Sequence, residues 1–161
     1  GHLSITVKET REKPELNLAD VGFGFSQILP LVTELWWLSS GKGVQRRTEE
    51  YTPPVIFVIE QPELHLHPRW QAQLADAFLV AIKMAREAKV DLRLIVETHS
   101  KTIINRLGHR IVNGDADCHD INVVVFDKES VEVPVKVRVA KYDEAGFLVN
   151  WPYGFMNPDI I

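Results

Sequence analysis

The chain has 161 residues, 45% of them apolar and 25% charged, with a net charge of −4. These are globular proportions: roughly 70% of the unfolded surface can be buried at this length without disulfides, and nothing pulls the whole molecule toward nucleic acid or an anionic membrane. The single cysteine, Cys118, excludes an internal disulfide and fits a reducing, cytoplasmic setting, while no apolar run approaches the ~20 residues of a membrane span and no signal-peptide pattern opens the sequence.

In chain order, Leu3, Ile5 and Val7 alternate with polar residues, which predicts a half-buried strand over 3–8. After the polar stretch "KETREKPELN" comes "LADVGFGFSQILPLVTELWWLSS". Gly22 and Gly24 predict a turn, Ser26 an N-cap, and the residues to about Ser39 a helix. Pro30 suits only the first turn of such a helix. The helix is apolar on most faces, so it is expected to be largely buried, with Trp36 and Trp37 in a core or interface. Residues 40–54, "SGKGVQRRTEEYTPP", have no periodicity and predict a long loop. Its Lys42, Arg46 and Arg47 are either a local basic patch for nucleic acid or merely solvated.

Val55–Ile59 is a continuous apolar run and predicts a strand covered on both faces. Pro68 suits a first helical position. Trp70, Leu74, Ala77, Phe78, Ala81, Ile82 and Ala85 then recur at helical spacing, which predicts an amphipathic helix over 68–88. "LRLIVE" (92–97) predicts a second buried strand. A short helix follows from Lys101 to Leu107 with Gly108 as C-cap, and "INVVVF" (121–126) predicts a third strand. Strands alternating with helices predict an α/β fold with a mostly parallel sheet flanked by helices. From Val131 to Val139 the period changes to two, with Pro134 marking an edge strand. The tail is rich in turn residues and aromatics. The expected organisation is an α/β unit over 1–128 and a small β-rich appendage over 129–161.

Ligands of parallel α/β sheets sit at the carboxyl ends of strands. Two strands here end in polar clusters, Glu60-Gln61-Pro62-Glu63 and Glu97-Thr98-His99-Ser100. If the strands are neighbours, the acids and His99 face one site. A carboxylate fixed at a strand end suits a hard divalent cation, and it equally suits a cap for the next element.

"VIFVIEQPELHLHP" (55–68) resembles the Walker B segment and following loop of ABC-type ATPases, with the SMC-like and OLD-like class the nearest branch. "VETHS" (96–100) resembles the switch-histidine segment of that family. "DVGFGFSQILPLV" (20–32) resembles a divergent signature motif, and the three stand in the family's order. "FLVNWPYGF" (147–155) resembles a small domain of unknown function found after some of these ATPases. The resemblance implies that Glu60 holds Mg²⁺, that Gln61 stands where the family usually has its catalytic glutamate, and that His99 contacts the γ-phosphate and helps hold the attacking water. It implies that Gly24, Ser26 and Gln27 face the γ-phosphate of ATP bound by a partner subunit, so that two copies sandwich ATP and Mg²⁺ head to tail. The output of such a homodimer switch is DNA processing, phage defence or control of a partner nuclease.

Three departures stand beside the resemblance. Glu60 is a methylene longer than the family's aspartate. Gln61 cannot act as a general base, though it can orient water as the glutamine of Ras-type GTPases does; Glu63 is the nearby candidate base. No GxxxxGK[ST] occurs anywhere in the chain. The chain is therefore expected to be the C-terminal part of a longer ATPase and to be inactive alone.

Two rival readings remain. In an extended backbone Glu63, His65 and His67 point the same way, a ligand set for a metal-dependent hydrolase, with His99 and "DADCHD" (115–120) as further donors. The bland reading of His65 and His67 is a hydrogen-bonded turn at a helix start, and of "DADCHD" a solvated turn. Alternatively, Gln61 marks a non-catalytic, nucleotide-sensing interaction module.

Overall fold

The structure, a computed structural model, describes Thr6–Val7, Leu16–Asn17 and residues 23–42, 53–128 and 132–152. Gly22, the central part of the predicted 40–54 loop with Arg46 and Arg47, Val131, and the end of "FLVNWPYGF" lie outside the described residues. The fold is α/β. The chain divides into two compact units, Gly1–His99 and Ser100–Ile161.

In the first unit, β1 (Thr6–Val7) pairs antiparallel with β2 (Leu16–Asn17). Helix α1 (Phe23–Ser39) is followed by β3 (Val55–Glu60), α2 (Pro68–Glu87) and β4 (Leu92–Glu97). The β3–α2–β4 run is a parallel crossover, with β3 and β4 hydrogen-bonded along their whole length. The predicted 68–88 helix is present within a residue. Its buried stripe is Leu74, Ala75, Phe78, Ala81 and Ala85, the helical spacing that seats α2 on β4 and α1 on α2.

Two burial expectations are corrected. Strand β3 alternates rather than being covered on both faces: Ile59 is buried while Ile56 and Val58 are exposed, and Ile95 of β4 lies open as well. Helix α1 is not largely buried either. Leu35 and Ser39 are enclosed, but Val32, Trp36 and Trp37 are exposed, with Lys42 Nζ 5.1 Å from the Trp36 ring centre. An apolar run records an affinity for a covering surface, and among the described residues α1 and the sheet are each covered on one side.

Helix α1 also starts three residues before Ser26, so Ser26 is helical rather than an N-cap, and Pro30 lies inside the helix. That first turn packs tightly on the chain after β3. A Cβ on Gly24 would meet Leu66 Cδ2 at 2.8 Å and the His65 carbonyl oxygen at 3.0 Å, so only glycine lets the first turn of α1 lie this close to the chain after β3.

In the second unit, α3 (Lys101–Val112) is capped by Ser100, whose Oγ accepts the Ile103 N–H at 3.1 Å. The predicted stop at Gly108 is corrected: the helix runs through it to Val112 and turns at Gly114, which has φ +75°. Gly108 is buried because its backbone abuts that of Gly146. A 3-10 turn at Cys118–Asp120 leads into β5 (Asn122–Asp127). Strand β5 does not extend the parallel sheet. It pairs antiparallel with β6 (Lys136–Tyr142), which pairs at its end with β7 (Leu148–Val149). The expected boundary near 129 falls between β5 and β6, strands of one sheet. The predicted edge strand is corrected: β6 lies between β5 and β7, and Pro134 sits two residues ahead of it, where its missing N–H costs no ladder bond. The valines at 133, 135, 137 and 139 are exposed, and the buried positions of β6 are Ala140 and Tyr142. Ile104, Ile111 and Tyr142 form the core, with Leu107, Leu148 and Trp151 packed around them. Among the described residues no helix is long and apolar enough to cross a membrane.

Candidate functional site

Strands β3 and β4 end at the same level, with Glu60 the register partner of Glu97. Two carboxylate-bearing residues therefore stand side by side at the carboxyl edge of a parallel pair, where loops diverge and a ligand crevice forms. The ladder extends one bond further, the Gln61 N–H donating to the Glu97 carbonyl oxygen at 2.9 Å. Gln61 then turns left-handed, with φ +42°. For a residue with a Cβ that conformation costs about 1–2 kcal/mol, and strain of this kind collects at functional positions. It swings the chain off the strand so that the Leu64 N–H returns to the Gln61 carbonyl at 3.2 Å.

The side chains converge on one oxygen. Gln61 Nε2 donates to Glu97 Oε1 at 3.4 Å, and His99 Nε2 lies 3.3 Å from the same oxygen. The Glu97 and His99 side chains are 48% and 78% exposed, open to solvent. Glu63 behaves differently. It is only 7% exposed, and its Oε1 accepts the backbone N–H of His99 at 2.7 Å. Its Oε2 has no hydrogen-bond partner among the described residues. Glu63 thus braces the backbone that carries His99, and does not face the solvent side where Glu97 and His99 meet.

The two histidines after β3 go to turn formation. His65 is left-handed, with φ +61°, so the backbone is not extended and the same-side placement of Glu63, His65 and His67 fails. His67 is the N-cap of α2, its Nδ1 accepting the Arg69 N–H at 3.2 Å with Pro68 at the first helical position. Among the described residues, the donors that do converge as a metal-ligand group are Asp117, Cys118 and His119. They are consecutive on the 3-10 turn, and Asp117 is its cap, Oδ1 accepting the His119 N–H at 2.8 Å. That bond holds the Asp117 carboxyl below its usual range. Burial, with the charges of Asp117 and Glu144, pushes the Cys118 thiol up, away from the free thiolate a nucleophilic role needs.

Of the residues singled out from sequence, Glu60, Gln61, Glu63 and His99 are brought together at the strand ends. Gly24 reaches the same loop by packing on His65 and Leu66. Ser26 and Gln27 stand exposed near the start of α1. Glu97 is the residue that sequence reasoning leaves without a role of its own, although "VIFVIE" and "LRLIVE" are strand segments of equal length, each closed by glutamate after at least three apolar residues, and that likeness is the signal that points to it. The donor set suits Mg²⁺, a hard cation that takes one or two carboxylates and keeps several waters.

The family model described as "AAA ATPase domain" matches residues 2–104, which include every residue of this cluster. No curated protein and no solved structure matches the chain significantly.

Proposed function

The chain belongs to the AAA ATPase domain family, and on that premise we propose that its β3–β4 edge is the catalytic half of an ATP site of the ABC type, in the SMC-like or OLD-like class. The observation that carries this reading is the register of Glu60 with Glu97, which sets Glu60, Gln61 and His99 at one strand edge. In this reading Glu60, at the Walker B position, holds Mg²⁺. When bound, the cation neutralises charge on the β- and γ-phosphate oxygens. Gln61 orients the attacking water, and His99 donates toward the γ-phosphate. Glu63 acts indirectly, by fixing the His99 backbone.

The phosphate cradle of such a site is a GxxxxGK[ST] loop, which these 161 residues lack, so in this reading another segment of the full-length protein supplies it. The open apolar face at Ile56, Val58 and Ile95 supports that view, because parallel sheets are generally covered on both faces. Exposed Ser26 and Gln27 near the N-terminus of α1 suit a phosphate group. They would meet the nucleotide of a second copy in an ATP-dependent homodimer, whose output in DNA processing, phage defence or nuclease control is part of the proposal.

The test is MgATP binding and turnover by the full-length protein, with its mass in solution measured with and without ATP. Nucleotide binding, turnover and ATP-dependent dimerisation are expected, with Glu60→Gln raising the Mg²⁺ requirement. A full-length protein that binds no nucleotide sinks the reading.

A further inference from the structure

We infer that Glu97 is the general base of this site: it takes the proton that Gln61 cannot, from the end of the neighbouring strand. The inference rests on the ATPase reading above and adds a catalytic residue to it. A glutamine amide has no basic lone pair at neutral pH, so a site with glutamine after its metal carboxylate either works without a base or finds one nearby.

Three carboxylates lie close by, and the structure separates their roles. Glu63 is buried, and its Oε1 is committed to the His99 N–H at 2.7 Å. Glu60 ends β3 and is the residue suited to the cation. Glu97 remains, half-exposed, with Oε1 3.4 Å from Gln61 Nε2 and 3.3 Å from His99 Nε2. Its place is fixed twice over, by register with Glu60 and by the Gln61 N–H bond to its carbonyl at 2.9 Å. A carboxylate only accepts hydrogen bonds, so the Gln61 amide must present its nitrogen to Glu97. Its Oε1 is then left to accept from a water. Amide, carboxylate and imidazole thus surround one position and divide the work there. Gln61 orients the water, Glu97 receives its proton, and His99 faces the phosphate.

The step balances. As the water oxygen bonds to the γ-phosphorus, one water proton moves to a Glu97 oxygen. The bond between the γ-phosphorus and the bridging oxygen breaks, and its electron pair leaves on ADP. Glu97 then releases the proton to product phosphate or solvent.

The test uses the full-length protein and compares wild type, Glu97→Gln, and Glu97→Gln combined with Gln61→Glu. Turnover, MgATP affinity and the Mg²⁺ concentration dependence of binding are each measured. Glu97→Gln is expected to lower kcat on the order of 10²–10⁴-fold, the usual worth of a positioned base, with MgATP affinity and Mg²⁺ dependence unchanged. The double variant, which moves the carboxylate back to the end of β3, is expected to recover at least tenfold of that loss. Undiminished turnover by Glu97→Gln overturns the inference. So does a loss that saturating Mg²⁺ restores, because that makes Glu97 a cation ligand. A wild type that binds no nucleotide overturns the ATPase reading itself, a result distinguishable from both.

Discussion

Glu63 and His99 are joined across the ends of β3 and β4 by a 2.7 Å bond from the His99 backbone N–H to a buried carboxylate oxygen. The bond ties the loop after one strand to the loop after the other. A hydrogen bond to a charged group contributes about 1.5–3 kcal/mol. Glu63→Ala is therefore expected to destabilise the first unit by roughly 2 kcal/mol and to speed exchange of the His99 amide hydrogen. Glu63→Gln keeps an acceptor oxygen and is expected to cost less. Urea denaturation with amide exchange checks both, and unaltered His99 exchange in Glu63→Ala shows that the bond does not hold this loop.

His67 separates the metal and capping accounts of the histidines. As the N-cap of α2 it satisfies the Arg69 N–H, so His67→Ala is expected to cost about 1 kcal/mol and His67→Asn or His67→Asp to restore most of it. Added Zn²⁺ is expected to leave the melting temperature of the chain unchanged. A zinc-dependent rise that His67→Asn abolishes contradicts the capping account.

Gly24 is the contact between α1 and the loop after β3. Gly24→Ala places a methyl 2.8 Å from Leu66 Cδ2 and 3.0 Å from the His65 carbonyl. The leucine tip can swing away but the carbonyl cannot. Overpacking of this kind costs about 1–3 kcal/mol. Leu66→Ala in the same chain is expected to recover only part of it, and a double-mutant cycle reads the share directly.

What the sequence made legible was periodic or chemically marked. The α2 stripe from Leu74 to Ala85 was visible because helical burial repeats every three to four residues. The pairing of two strands that end in acid was visible as a condition, and the Glu60–Glu97 register fulfils it. Three things were not legible. "INVVVF" (121–126) reads as a third strand of the parallel sheet because apolar runs do not record strand direction, and β5 is antiparallel to β6. Val133 to Val139 alternates as a buried face should, yet β6 buries Ala140 and Tyr142, since alternation does not say which face finds a partner. Gly108 reads as a helix stop because local propensity is blind to Gly146, thirty-eight residues on, whose backbone requires a missing side chain there.

That glycine pair carries its own prediction. The Gly108 and Gly146 backbones are packed so closely that a Cβ on either would overlap the carbonyl of the other. Backbone on both sides leaves nothing to yield. Gly146 also has φ +73°, a second reason it resists substitution. Gly108→Ala and Gly146→Ala are each expected to cost about 3 kcal/mol or more, the upper end of overpacking. Val112→Ala, which removes another neighbour of Gly146, is not expected to rescue Gly146→Ala. Thermal unfolding of the single and double variants decides this.

Tyr142 gives the second unit a distinct response to alkali. Its hydroxyl donates to the Ile104 carbonyl at 2.8 Å, and the side chain is only 5% exposed. Burial pushes the phenol up, well above its ordinary value. An unfolded tyrosine loses its proton near pH 10, while the folded one keeps it, so above that pH the folded state binds more protons. Stability then falls as pH rises, by up to about 1.4 kcal/mol per pH unit for one proton. The contribution is intact below pH ~10 and is lost progressively above it. Tyr142→Phe is expected to cost about 1 kcal/mol at neutral pH through the lost hydrogen bond, and to flatten the decline above pH 10. If wild type and Tyr142→Phe lose stability in parallel from pH 9 to 11, the buried phenol is not its source.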